Sequence, residues 1–221
     1  MAASSSSASS ASSALSSSST AVVPAAAGRR IVVLNAHPAA TSFNGALAEA
    51  YEQGAVAAGH VVRRHDLHEM AFDDDFGQAG FRNAKPLEPS LLAFMESLHW
   101  SQQIVLVTPM WWGGLPARAK GLFDRAFLPG TAFDPRQKTM GLPKPLLAGR
   151  SARLILTSDT PWWAFSLMYR SALRHQVTNQ IFGYVGVKPT RFTHLSPVEH
   201  STPEIRAGWL RDIGTLGHRG I

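Results

Sequence analysis

Three short segments hold the residue types that could do chemistry. His37-Pro38-Ala39-Ala40-Thr41-Ser42-Phe43-Asn44 supplies an imidazole, two hydroxyls and an amide just ahead of a helical pattern. A helix N-terminus adds free backbone N–H groups and the positive end of its dipole, so this segment can hold a phosphate. Thr41 or Ser42 can instead simply cap the helix. Pro109-Met110-Trp111-Trp112-Gly113-Gly114-Leu115-Pro116 sets two indoles beside two glycines. The indoles can wall a planar ring while backbone N–H groups reach its edge, or they can plug the core beneath the loop. The third segment is Thr157-Ser158-Asp159-Thr160, followed by Pro161-Trp162-Trp163.

Other chemistries lack their residues. There is no G-x-G-x-x-G and no Walker A run, and no G-x-S-x-G elbow to expose a serine nucleophile. The chain has no cysteine, which excludes disulfides, thiolate metal sites and a cysteine nucleophile. His65 and His68 are three apart on a strand end and loop, a spacing that does not hold them on one face, and no metal site is expected.

The elements that must position these segments alternate along the chain. Ile31-Val32-Val33-Leu34, Ile104-Val105-Leu106-Val107 and Leu154-Ile155-Leu156 are continuous apolar runs, the pattern of strands buried on both faces. His60–Leu67 and residues 190–195 supply two further strands. Helices are expected over Asn44–Gly59, around Leu91, Leu92, Met95 and Leu98, behind Pro116 on the face of Leu122, Phe123, Ala126 and Phe127, over residues 162–182, and after Ser201-Thr202-Pro203. Residues 68–86 and 128–150 read as loops. Strand–helix alternation implies an α/β fold with a parallel sheet and helices on both faces. In such sheets ligands lie beyond the carboxyl ends of the strands, where the three segments fall.

Composition narrows the class. The chain has 221 residues, 45% hydrophobic and only 16% charged, enough for one sizeable core. Residues 1–28 are almost entirely Ala and Ser, lack the features of a signal or transit peptide, and are expected to be a disordered tail ahead of one domain over 29–218. Lys and Arg number 21 against 15 Asp and Glu, but from Arg150 onward the nine basic residues are spaced singly, without the patch that nucleic acid requires. No stretch is apolar for long enough to span a bilayer, so no membrane insertion is expected.

The first two segments resemble those of the NAD(P)H:quinone oxidoreductase family. Its His-x-x-x-(Thr/Ser)-Ser-Phe-Asn motif is matched by His37, Thr41, Ser42, Phe43 and Asn44, and its Pro-x-x-Trp-x-Gly-x-Pro-Ala-x-x-Lys-Gly run by Pro109, Trp112, Gly114, Pro116, Ala117, Lys120 and Gly121. Asp66-Leu67 resembles the dipeptide closing the family's second strand, and similarity runs from about Arg30 to Leu216. The resemblance implies a flavodoxin-like, doubly wound five-stranded parallel sheet of order 2-1-3-4-5. It also implies tightly bound FAD or FMN, with NADPH or NADH as co-substrate and a quinone-like acceptor reduced by two-electron, ping-pong hydride transfer. Flavin phosphate and ribityl chain would lie on the first segment, and the isoalloxazine beside Pro109, Met110, Trp111, Trp112 and Gly113 and the backbone of Thr157, Ser158, Asp159 and Thr160.

Two departures stand out. Well-known members carry Thr-Thr-Gly-Gly where this chain has Thr157-Ser158-Asp159-Thr160; a bacterial branch with an Asp-Thr-Pro-aromatic loop is closer. The Asp159 carboxylate would repel an anionic reduced flavin, so it is expected to point away or to bind another donor. The Tyr and His of the animal enzymes fall in register with Phe165 and Ser171, so no catalytic side chain is carried over, although Tyr169 and His175 lie nearby. Trp112, Phe133, Trp162 and Trp163 are expected to line the substrate pocket. The resemblance further implies a cytoplasmic homodimer with its site at the subunit boundary. Two alternatives follow from the same resemblance and its gaps: a regulatory subunit of a potassium-efflux transporter, and a pseudoenzyme that has lost flavin.

Overall fold

The computed structural model describes Met1, residues 28–75 and residues 84–221. Most of the expected tail, residues 2–27, and the middle of the expected loop, residues 76–83, lie outside the described residues.

Five parallel strands form the sheet: β1 (Arg30–Asn35), β2 (Val61–Asp66), β3 (Gln103–Pro109), β6 (Ser151–Thr157) and β7 (Thr190–Leu195), in the order β2-β1-β3-β6-β7. Counting only these five, the order is 2-1-3-4-5, as the family resemblance implies. The three apolar runs are its central strands, and period-2 alternation divides their side chains between two cores. Val32, Leu34, Ile104, Leu106, Leu154 and Leu156 face one side; Ile31, Val33, Val105, Val107 and Ile155 face the other. Helices α2 (Pro89–Trp100) and α3 (Ala117–Ala126) cover the first core, and α1 (Phe43–Ala57) and α5 (Pro203–His218) the second. Within α2 the inward position belongs to Phe94, while Leu92 faces solvent, contrary to the sequence expectation.

Two regions differ from that expectation. Residues 128–150 are not merely loop: β4 (Phe133–Thr139) and β5 (Leu142–Pro145) pair antiparallel as a separate ribbon, turning at Met140 and Gly141, both with left-handed φ (52° and 82°). Pro135, Pro143 and Pro145 hide these strands in the sequence, since proline is tolerated only where a ladder needs no N–H, as at an edge. The single helix expected over 162–182 is broken. Wide π-helical turns over Ala164–Met168 and Gln176–Phe182 flank a short α4 (Ala172–His175). Between them Arg170 and Ser171 take left-handed φ of 50° and 53°, which no regular right-handed helix admits.

Candidate active site at the strand ends

The first core run places the first segment. β1 ends at Asn35, whose amide donates to Asp66 Oδ1 at the end of β2 (2.7 Å) and whose Oδ1 accepts from His37 N–H (3.2 Å). Burial would raise the Asp66 carboxyl, but the bonds from Arg64 and Asn35 outweigh it and hold it below the usual range. The chain thus leaves β1 in a fixed direction. His37 Nδ1 accepts from Ala39 N–H (3.1 Å), so the ring proton sits on Nε2, available to a ligand. Burial, aided by His68, lowers the His37 pKa and keeps the ring neutral.

Ser42 is the N-cap of α1, its Oγ accepting from Gly45 N–H at 3.0 Å. Capping and ligand binding are compatible here, because the serine proton stays free to donate. Among the described residues the N–H groups of Ala40, Thr41, Ser42, Phe43 and Asn44 meet no acceptor. Phe43 packs its ring toward Trp209 of α5, so only its backbone faces this cradle. Asn44 is buried; its Oδ1 accepts from Thr157 Oγ1 (3.0 Å), while its Nδ2 has no partner among the described residues.

The second segment follows β3. Met110 N–H donates to Thr157 O, and Trp111 and Gly114 exchange both backbone bonds, at 3.0 and 2.9 Å. Trp112 and Gly113 form the corner with φ of 51° and 74°, the pattern of a mirror-image turn. A tryptophan at such a corner costs about 1–2 kcal/mol relative to an ordinary conformation. Neither indole plugs the core: Trp111 stands against the His37 ring (5.5 Å, edge-on), and Trp112 is fully exposed.

The third segment lies beside both. Pro109 and Thr157 are in register at the ends of β3 and β6. The Asp159 carboxylate binds another donor, accepting from Glu199 N–H. The N–H groups of Asp159 and Thr160 meet no acceptor among the described residues. A cavity of about 410 Å³ opens between the second and third segments, lined by Met110, Trp112, Gly113, Thr160, Tyr169 and Leu173 among others.

The structure therefore brings together His37, Thr41, Ser42, Asn44, Met110, Trp111, Trp112, Gly113 and Thr157–Thr160. It does not bring in every residue expected to line a pocket. Trp162 and Trp163 are exposed outside the cavity, and Phe133 lines a separate one of about 1300 Å³, its ring edge-on to Tyr184. Two residues near the site have no signal in the sequence. Arg206 of α5 sits over the Phe43 ring (5.7 Å), adding positive charge behind the first segment, and His194 of β7 bonds to Ser158. Both come from the far end of the chain and belong to no motif.

The donors present fit a phosphate-tailed flavin. A buried amide left without a partner costs about 1–3 kcal/mol, and Asn44 Nδ2 stands beside a row of open N–H groups that an anionic ligand would satisfy.

Known proteins point the same way. A family model for the flavodoxin-like fold (Flavodoxin_2) matches residues 29–215. An "Uncharacterized NAD(P)H oxidoreductase" of Haemophilus influenzae is 27% identical over 167 residues, covering 73% of this chain and 80% of that protein. "NAD(P)H dehydrogenase [quinone] 1" of Cavia porcellus is 28% identical over 123 residues, covering 47% and 45% of the two chains, so the match spans less than half of that enzyme. The solved NAD(P)H:quinone oxidoreductase from Methanothermobacter marburgensis superposes with a TM-score of 0.72 over 87% of this chain and 96% of that one, at 22% identity, a likeness of fold.

Proposed function

Since the chain belongs to the flavodoxin-like family that includes the NAD(P)H:quinone oxidoreductases, we propose that it is a flavin-dependent oxidoreductase passing electrons from NAD(P)H to a quinone-like acceptor. One observation carries the reading: three strand-end segments meet beside an aromatic-walled cavity with Asn44 Nδ2 and the N–H groups of residues 40–44, Asp159 and Thr160 lacking acceptors among the described residues.

His37 Nε2–H, the Ser42 hydroxyl, Asn44 Nδ2 and the N–H groups of residues 40–44 hold the phosphate and ribityl chain of FMN or FAD. A bound flavin would supply the relay that takes two electrons from NAD(P)H and passes them to the acceptor. The N–H groups of Trp112, Gly113, Asp159 and Thr160, without acceptors among the described residues, would stabilise negative charge on a bound flavin, while the Asp159 carboxylate is engaged by Glu199 N–H. Trp112 and Tyr169 flank the cavity that NAD(P)H and acceptor occupy in turn, which gives ping-pong kinetics. Among the described residues Tyr169 is the one ionisable side chain lining that cavity, and the candidate for giving a proton to a reduced acceptor oxygen.

Trp162, Trp163, Leu167 and Met168 form an exposed apolar surface beside the cavity, which supports a homodimer closing its site at the subunit boundary. No helix among the described residues is long and apolar enough to cross a membrane. Reconstitution with FMN and with FAD, followed by heat release and chromatography, identifies the flavin. NAD(P)H oxidation that starts only when a quinone is added supports the assignment; failure to retain either flavin overturns it. Light scattering on the eluted protein reads the oligomeric state.

A further inference from the structure

The third segment owes its order to a strand that precedes none of the three. His194, on β7, packs in a three-ring cluster with Phe165 (4.6 Å between centroids) and Phe192 (6.1 Å), and its Nε2 stands 2.8 Å from Ser158 Oγ. Ser158 Oγ also lies 3.3 Å from Thr160 O. The contact to the imidazole is the shorter of the two, and it joins Ser158 to the ring of β7 by a hydrogen bond. Ser196 donates to the same Thr160 carbonyl, and Glu199 N–H to the Asp159 carboxylate. Ser158 N–H donates to Leu195 O and Val198 N–H to Ser158 O, both at 3.1 Å. Residues 158–160 are thus tied at five points to the stretch from His194 to Glu199. The two N–H groups outside this web, those of Asp159 and Thr160, lie where the cavity begins.

We propose that His194 is a positioning residue. Through its hydrogen bond with Ser158 it locks the third segment in the conformation that would present the Asp159 and Thr160 N–H groups to the flavin. This rests on the flavin reading of the site and deepens it. Donors fixed in advance stabilise developing charge without reorganising, so they favour the reduced, more negative flavin over the oxidised one. A loosened segment still accommodates the oxidised ring but loses part of that preference. Burial lowers the His194 pKa, so the ring stays neutral and its hydrogen bond is of one kind at neutral pH.

Two variants separate the hydrogen bond from the packing. His194→Phe keeps an aromatic ring against Phe165 and Phe192 and removes the hydrogen bond to Ser158; His194→Gln places an amide, able to donate or to accept, near the position of Nε2. Two measurements are made on each: hydrogen exchange in the flavin-free protein, and the midpoint potential of whichever flavin the wild-type protein takes up from added FMN and FAD. In His194→Phe the amides of Ser158 and Val198 exchange faster while those of β1 and β3 are unchanged. Its preference for reduced over oxidised flavin falls about tenfold, a drop of about 30 mV for a two-electron couple. His194→Gln restores most of both. Faster exchange with an unchanged potential makes His194 a structural residue only and overturns the proposal, as does no change in either. Wild-type protein that binds neither flavin brings down the reading of the site itself, a failure seen before any variant is made.

Discussion

Asn44 concentrates the chemistry of the first segment in one side chain. Its Oδ1 is committed to Thr157, and its Nδ2 is buried without a partner among the described residues. Asn44→Asp keeps the acceptor and replaces the open donor by a carboxylate facing a phosphate. Flavin affinity falls at least tenfold (about 1.4 kcal/mol), measured by fluorescence titration, while the unfolding midpoint of the flavin-free protein moves little. Unchanged affinity would remove Asn44 from the site. Half-buried histidines set a second residue-scale expectation. Burial is the leading cause that lowers the pKa of His37, His65 and His194. Below the ordinary value of 6.5 the unfolded chain takes up protons that the folded one refuses, so stability is lost as pH falls from about 6.5 toward the depressed folded values. Thermal unfolding followed from pH 7 to pH 5 shows the decline. His65→Phe, which keeps a ring against Phe94 and takes no proton, makes it shallower. At this scale the sequence revealed residue types but not partners. Asn44 and Thr157 lie 113 positions apart, and a hydrogen bond over that distance leaves no local pattern.

Helices α1 and α5 show how an element can be legible while its packing is not. An Ala-, Leu- and Glu-rich run closing at Gly59 locates α1, the Ser201-Thr202-Pro203 start signal locates α5, and Thr202 Oγ1 indeed accepts from Ile205 N–H. What the pattern hides is how closely they approach. A Cβ added at Gly217 would lie 2.0 Å from Tyr51 O, and one at Gly54 would lie 2.0 Å from Gly214 O. Backbone faces backbone, and neither side can yield by turning a side chain. Gly217→Ala therefore forces the helices apart and costs about 1–3 kcal/mol, read as a lower urea midpoint at an unchanged slope. Flavin affinity changes less, because Tyr51 stands about two turns along α1 from Asn44. The β4–β5 ribbon and the break at Arg170 and Ser171 were not legible for a related reason. Proline-rich edge strands and left-handed residues depend on tertiary surroundings, and period-based patterns carry no trace of them.

Charge distribution acts on the whole molecule. The chain carries a net charge of +6, and from Thr160 to Val198 it contains Arg170, Arg174, Lys188 and Arg191 but no Asp or Glu. That stretch includes Thr160, Tyr169, Ala172 and Leu173 of the cavity wall, so the approach to the cavity is positively biased. Both nicotinamide nucleotides are anionic, and NADPH carries one phosphate more than NADH. A field of this sign raises the encounter rate of the more negative ligand most, and salt screens it over about 10 Å at 0.1 M. Raising ionic strength from 0.02 to 0.5 M (~25-fold) therefore lowers kcat/KM for NADPH more steeply than for NADH, with kcat nearly constant. Arg170→Gln combined with Arg174→Gln flattens the NADPH dependence toward that of NADH. Equal salt slopes for the two nucleotides in the wild-type protein would mean that the basic surface plays no part in capture, and that the cavity selects its reductant by contact alone.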